Sequence, residues 1–490
     1  MKPPNSSFGP WPQPAPNLFE GSAPAVLDVP EHLQKEWDKL VGRRYLRQIA
    51  FDTIPSFLWA RRNRGLVPVS DTRLCAILCD GIFSKFLFKR QDADGNVLFD
   101  AEIESLFGPY LGGHPDHPVT PGPIADWYVS DFRPMALVPS EPTVDSATSP
   151  SVVLYRRGAD RRYVLVAIAL DDQVFDPDHP AWPTAKFFAL QGAGVLTTLL
   201  MHPKLHFPSN CVDAITRTRL PDGHWLKKLF LPHFRLAMSV NHAVLYGAQT
   251  VLKPGRLYAP YPGTLEEHAE VIATLWRGYP FTEGAARHPT YPRYRLSPEP
   301  PVIHSDYGTF LERYWEVLFD FAKTVVDDKL AGGADQDAIA WADHCASWLP
   351  GFPSSTELTV DDGLARAFAS IVLDVSVGHS ADHYLYSKVN LQEVPFRLRT
   401  DVPTESTTHA PDPGTLTTWK DNFHYRMCML MFFNPYLIQG LTEVDYGFTE
   451  APLRAAAQAC RDALIETDRA LRADGIDYVP LDQIACSVQY

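Results

Sequence analysis

The chain has 490 residues, 45% hydrophobic and 12% aromatic, enough to bury a sizeable core. Its 58 acidic side chains outnumber 44 basic ones for a formal charge of −14, with no basic run, which sets nucleic-acid binding aside because a phosphate backbone is held by clustered lysine and arginine. No apolar stretch approaches the roughly 20 residues of a transmembrane helix, and the first residues lack the apolar segment of a secretory signal, so a cytoplasmic protein without a transmembrane segment is expected.

Residues 1–24 read as a proline-rich, extended arm, and residues 25–490 as one large domain. From about 30 to 110 the patterns are helical but interrupted by proline and glycine. The seven cysteines are scattered and odd in number, which suits reduced thiols; Cys75 and Cys79 would share a helix face but lack the second pair that a zinc site needs. Residues 108–128 read as loop. "SVVLYRRGADRRYVLVAIAL", 151–170, has two β-branched runs around a Gly-Ala-Asp turn and predicts a hairpin. Beyond it the chain turns helical. The clearest helix is 306–328, where Phe310, Tyr314, Leu318, Phe321 and Val325 form one stripe behind a Ser305 or Asp306 cap. Further helices are predicted near 226–250, 264–277, 336–348, 362–388, 415–433 and 452–473. The expected fold is mainly α: a large helical domain with a small β-sheet near residues 100–170.

Two histidine pairs stand out. His202 and His206 in "TLLMHPKLHFPSN", and His379 and His383 in "SVGHSADHYLY", share an H-x3-H spacing. On a helix, residues i and i+4 lie one turn apart on the same face, so each pair could bind one ion. His379 and His383 continue the apolar stripe of Leu364, Phe368, Ile371, Val372 and Val375, and so point inward. Buried imidazoles need partners; a metal is one solution and hydrogen bonds to the protein are another. Four neutral nitrogens suit Fe, Mn, Zn or Cu. Pro203 should kink or bulge the first helix at the histidines, or else the helix begins there and His202 lies in a loop.

The segment "AWPTAKFFALQGAGVLTTLLMHPKLHFPSNCVDAITRTRLPDGHWLKKLFLPHFRLAMSVN", 181–241, resembles the central segment of lipoxygenases. In "HWLKKLFLPHFRLAMSVN", His224, Lys228, Leu229, Pro232, His233, Arg235 and Asn241 fall in step with that family's block downstream of its first ligand pair. "HSADH" resembles its third-ligand helix, and "YVPLDQIACSVQY" resembles its chain end. The resemblance implies a helical lipoxygenase-like catalytic domain without the separate N-terminal β-barrel of eukaryotic members. It implies His202, His206 and His379 as histidine ligands, His383 at the fourth position and the main-chain carboxylate of Tyr490 as the fifth ligand. The implied cofactor is non-haem iron. The implied chemistry is hydrogen abstraction from a bis-allylic carbon of a polyunsaturated fatty acid followed by O2 addition to give a hydroperoxide. Transient contact with a membrane surface is left open.

Several positions depart from the family. Most members have H-x4-H at the first pair, and the shorter spacing resembles a fungal subset that uses manganese, which keeps Mn open. Val244 stands where the family has Ala or Gly, and Ala248 where a Leu clamps the substrate. Thr198 and Tyr386 replace two glutamines that link substrate to the metal surroundings in plant members, and Tyr490 replaces the usual Ile. These changes imply a reshaped pocket. They leave open an oxygenase with the same metal site and a non-lipid substrate, or a non-catalytic metal-binding homologue. Arg397 or Arg399 in "EVPFRLR" could hold a substrate carboxylate as a bidentate pair, or be surface arginines on a loop.

Overall fold

The computed structural model describes residues 31–91, 96–111, 127–138, 140, 145–246 and 296–489, with backbone only at 45, 242 and 244–246. The proline-rich arm and the helix predicted at 264–277 lie outside them.

Five strands form an antiparallel meander in chain order: β1 (Leu87–Lys89), β2 (Trp127–Asp131), β3 (Ser151–Arg157), β4 (Tyr163–Leu170) and β5 (Gln173–Phe175). The predicted hairpin is β3–β4, running from Ser151 opposite Leu170 to Arg157 opposite Tyr163. Its near-continuous apolar sequence follows from burial on both faces. Val152 and Leu154 pack with Phe99 and with Ile103 and Phe107 of the helix Ala101–Leu111, whereas Val153 and Tyr155 face the main core. β1 falls in a stretch read as helical. Three residues are too few for a periodic signal, and this strand exists because β2 pairs with it. Of the stretch 108–128 read as loop, residues up to Leu111 finish a helix and Trp127 opens β2; the residues between lie outside the described ones.

Beyond the sheet the chain is helical. The helix Trp182–Leu196 is buried on nearly every side, as a central core helix should be. The helical run Trp182–Arg219 is long and apolar enough for a membrane span by length and composition, but 94% of its apolar window is buried inside the protein, as in a core helix. The helix Asp306–Leu330 buries Phe310, Tyr314, Leu318, Phe321 and Val325, and the Ser305 hydroxyl caps it by accepting from the Gly308 N–H at 3.2 Å. It packs against Gly363–Val372 and Ala451–Ala473. The helix predicted near 226–250 is broken into Trp225–Phe230, a 3-10 turn Leu231–Phe234 and Ala237–Tyr246. Pro232 cannot continue the hydrogen-bond ladder, and Leu236 adopts φ 66°. All seven cysteines are buried and none forms a disulfide.

Candidate metal centre

Each histidine pair follows a π-helical turn. Trp182–Leu196 passes through Thr197–Met201 into His202–His206, and Gly363–Val372 passes through Leu373–Gly378 into His379–Tyr386. The wider turn is the bulge that Pro203 calls for: the His202 N–H reaches back to the Thr197 carbonyl, and Pro203 follows at the next position. His202 itself is helical, with φ −65° and ψ −44°, so it does not lie in a loop. The two segments approach at Gly378, where an added Cβ would stand 3.6 Å from Leu205.

The approach brings four imidazoles together. His202, His206, His379 and His383 offer ligand nitrogens that all lie within 4.8 Å of one another. The Nε2 atoms of His202 and His206 are 2.9 Å apart, those of His206 and His379 3.0 Å, and those of His379 and His383 3.2 Å. His379 and His383 are at most 1% exposed and His206 is 5% exposed.

Two of these rings have their orientation set by neighbours. His206 Nδ1 lies 2.9 Å from Asn241 Oδ1, and the Asn241 amide donates to the His206 carbonyl at 3.2 Å and to Asn210 Oδ1 at 2.8 Å. With the Asn241 NH2 so engaged, its oxygen accepts, and the His206 proton sits on Nδ1. His202 Nδ1 lies 3.3 Å from Asp382 Oδ2, an acceptor, which places its proton on Nδ1 as well. The Nε2 atoms of both rings then carry lone pairs only 2.9 Å apart. Two lone pairs repel at that distance unless a cation lies between them. Nitrogens bound at about 2.0–2.1 Å to one ion stand roughly 3 Å apart at adjacent octahedral corners and about 3.4 Å at tetrahedral ones. The observed spacings match the first arrangement better, and the donor set fits a transition metal.

Burial keeps the rings neutral. It pushes His206 down to about 4 against the opposing Asn241 bond, and it drives His202, His379 and His383 well below the usual histidine range, with the neighbouring rings adding to the effect. Neutral imidazole is the form that binds a metal. Asp382 is fully buried beside His202 and forms an ion pair with Lys85, whose side chain is 7% exposed. Burial raises the Asp382 carboxyl, and Lys85 draws it back.

The wall beside the histidines is aromatic. The Tyr386 hydroxyl donates to the Gly194 carbonyl at 2.7 Å and accepts from Thr198 at 3.2 Å. Thus Thr198 and Tyr386 are joined to each other next to the cluster. Phe433 stacks on Tyr386 with centroids 4.4 Å apart and leans on His202 at 4.8 Å. Arg397 and Arg399 are placed elsewhere. Both meet Asp421, with Arg399 Nε at 2.7 Å, where Asp421 also closes the capping box of the helix Trp419–Phe432. A substrate carboxylate there would have to displace a carboxylate of the protein itself. His224 and His233 stand apart from the cluster as well: His224 meets Asp335 at 3.2 Å, and His233 bridges the Cys486 carbonyl and the Tyr446 hydroxyl, each at 3.0 Å. Val244 lies in the helix Ala237–Tyr246 with its side chain undescribed, and Ala248 and Tyr490 lie outside the described residues. The segment leading to Tyr490 is packed onto the second histidine helix: the Ala485 N–H donates to Ser380 Oγ at 2.9 Å, and Val488 joins an apolar cluster with Val375.

Sequence reasoning gave no role to Lys85, Asp382 or Phe433, and placed Asn241 only within a family block. A lone lysine inside the apolar run "GIFSKF" was the available signal for Lys85, and the aspartate between the two histidines of "HSADH" was the one for Asp382.

Neither a protein-family model nor a curated protein matches the sequence. Solved structures do. The manganese lipoxygenase of Gaeumannomyces graminis is 13% identical with a TM-score of 0.70, over 98% of this chain and 95% of that one. A fungal lipoxygenase from Fusarium graminearum is 14% identical with a TM-score of 0.60, over 86% and 80%. A LOX solved in complex with arachidonate is 12% identical with a TM-score of 0.67, over 95% and 76%. The chain therefore has a lipoxygenase-like fold, mainly helical with a small antiparallel sheet, as the resemblance of its motifs implied.

Proposed function

We propose that the protein is a lipoxygenase-type dioxygenase that oxygenates a polyunsaturated fatty acid to a hydroperoxide at a non-haem metal. Iron is the metal named first, and manganese is the alternative. The observation that carries the reading is the convergence of four buried, neutral imidazoles, two of whose unprotonated Nε2 atoms stand 2.9 Å apart. His202, His206, His379 and His383 would hold the metal, with Tyr490 expected from the resemblance to add a carboxylate. When bound, a redox metal of this kind supplies the one-electron acceptor for hydrogen abstraction from a bis-allylic carbon, and O2 then adds to the carbon radical. Asn241 and Asp382 orient two of the rings through their Nδ1 protons. Phe433, backed by the stacked Tyr386 ring, places an aromatic side chain beside His202, suited to an unsaturated chain and able to exclude water.

The test combines metal analysis of purified protein with O2 uptake and conjugated-diene absorbance on a fatty-acid panel. A single transition metal and diene formation are expected. Metal without oxygen uptake on any fatty acid would transfer the reading to an oxygenase with a non-lipid substrate. Absence of metal after reconstitution with iron and with manganese would end it.

A further inference from the structure

The helix Arg43–Arg62 turns an apolar face outward. Leu46 is 69% exposed, Phe51 77%, Ile54 69%, Phe57 41% and Leu58 54%. These are five of the ten large hydrophobic side chains exposed among the described residues, and all five fall between residues 46 and 58. Single exposed hydrophobics are ordinary on a soluble surface, but a contiguous patch marks an interaction site. The helix is also firmly seated. Ser56 and Ala60 on its inner face are fully buried, and the Phe57 ring meets Trp419 edge-on at 5.4 Å.

Charge gives the patch its character. Phe51, Ile54 and Leu58 follow one another at helical spacing along the outer face. Exposed Arg43 and Arg47 continue that face toward one end, and exposed Arg61 and Arg62 toward the other. The helix carries five arginines against one acid, Asp52, in a chain whose net charge is −14. An apolar stripe of Phe, Ile and Leu bracketed by arginines is the composition of a helix that lies in the plane of a bilayer interface. The arginine stems are long enough to place their guanidinium groups among phosphates while the apolar side chains enter the acyl boundary. We propose that this face docks the protein on an anionic lipid surface.

Other occupants fit less well. A second copy paired antiparallel across a two-fold axis would set Arg43 and Arg47 against Arg61 and Arg62 of its partner, with only Asp52 to offset them. A protein groove would have to match a convex helix face side chain by side chain, whereas lipid accommodates it without complementary shape. The proposal rests on this helix alone and does not depend on the oxygenase reading.

The experiment is co-sedimentation of the full chain with sonicated vesicles of phosphatidylcholine alone and of phosphatidylcholine with phosphatidylserine, at low and high salt. Binding to the anionic vesicles, reduced by salt and weak on neutral ones, is expected; each basic side chain near such a surface strengthens binding roughly five-fold. The double substitution Phe51→Ser and Ile54→Ser should weaken binding at least about ten-fold, as should Arg43→Gln with Arg47→Gln. Because these side chains point to solvent, the variants should keep the wild-type melting temperature and metal content, which separates loss of docking from loss of fold or of the metal site. Failure to bind anionic vesicles, equal binding to neutral and anionic vesicles, or unchanged binding by the Phe51/Ile54 variant would each overturn the proposal. So would a wild-type dimer in light scattering that the same variant converts to monomer.

Discussion

Lys85 and Asp382 make a buried ion pair one hydrogen bond away from His202, and the structure separates what the pair does for folding from what it does for the metal centre. The side chains are 7% and 0% exposed, so neither charge can turn to water if its partner is removed. Breaking a buried pair from one side costs about 3–5 kcal/mol, because the surviving charge is left uncompensated. Lys85→Met and Asp382→Asn should each lose about that much in urea unfolding of the metal-free protein. In Lys85→Met the loss should grow as pH rises. The Asp382 carboxyl, already raised by burial, loses the cation that draws it back, so the folded state keeps a proton that the unfolded chain releases. Replacing both at once, Lys85→Met with Asp382→Leu, removes the two charges together and should bring stability within about 1 kcal/mol of wild type or above it. The double variant should still bind metal about 10–100-fold more weakly, since His202 has lost the acceptor that holds its Nδ1 proton and aims its Nε2. Unfolding midpoints and competition against a metal chelator read the two effects independently. Undiminished metal affinity in the double variant would refute the claim that Asp382 positions His202, and single variants that cost less than about 1 kcal/mol would refute the burial argument.

Replacing His202, His206 or His379 by Ala should each strip most of the metal, measured by elemental analysis after reconstitution; full retention in all three would place the site elsewhere. His233 is buried between the Cys486 carbonyl and the Tyr446 hydroxyl, each at 3.0 Å, and burial pushes it down to about 4. Between the ordinary histidine value and that one, the unfolded chain takes a proton that the folded state refuses. Its contribution to stability is therefore present near neutral pH and is lost as pH falls, by roughly 2 kcal/mol between about pH 7 and about pH 4.5. His233→Gln should start less stable near neutral pH but decline more shallowly, which urea unfolding at the two pH values would show. Gly192→Ala should destabilise despite the better helix propensity of alanine, worth about 1 kcal/mol. The new Cβ would stand 2.9 Å from Phe132 Cβ, an atom that cannot swing aside, and overpacking of this kind costs about 1–3 kcal/mol. A higher melting temperature for that variant would show that Phe132 has room to yield.

What the sequence determined by itself was local. Apolar spacing and a serine cap located the helix Asp306–Leu330 almost to its ends, because a repeat of that length along one face has few other solutions. Two β-branched runs around a tight turn marked the β3–β4 hairpin for the same reason. The H-x3-H spacing put each histidine pair on one helix face, and the proline inside the first pair foretold a bulge there. Tertiary structure decided the rest, because it depends on which faces meet. Lys85 and Asp382 are 297 positions apart, and nothing along the chain says that one neutralises the other. Asn241 orients His206 from 35 positions away. Arg397 and Arg399, plausible carboxylate binders on a loop, are held by Asp421 once the chain folds. The apolar residues of Arg43–Arg62 would be assigned to the core from composition, yet five of them face outward. Periodicity shows that a helix has an apolar face, but only packing settles whether that face finds protein to cover it, because burial is a property of contacts between distant segments.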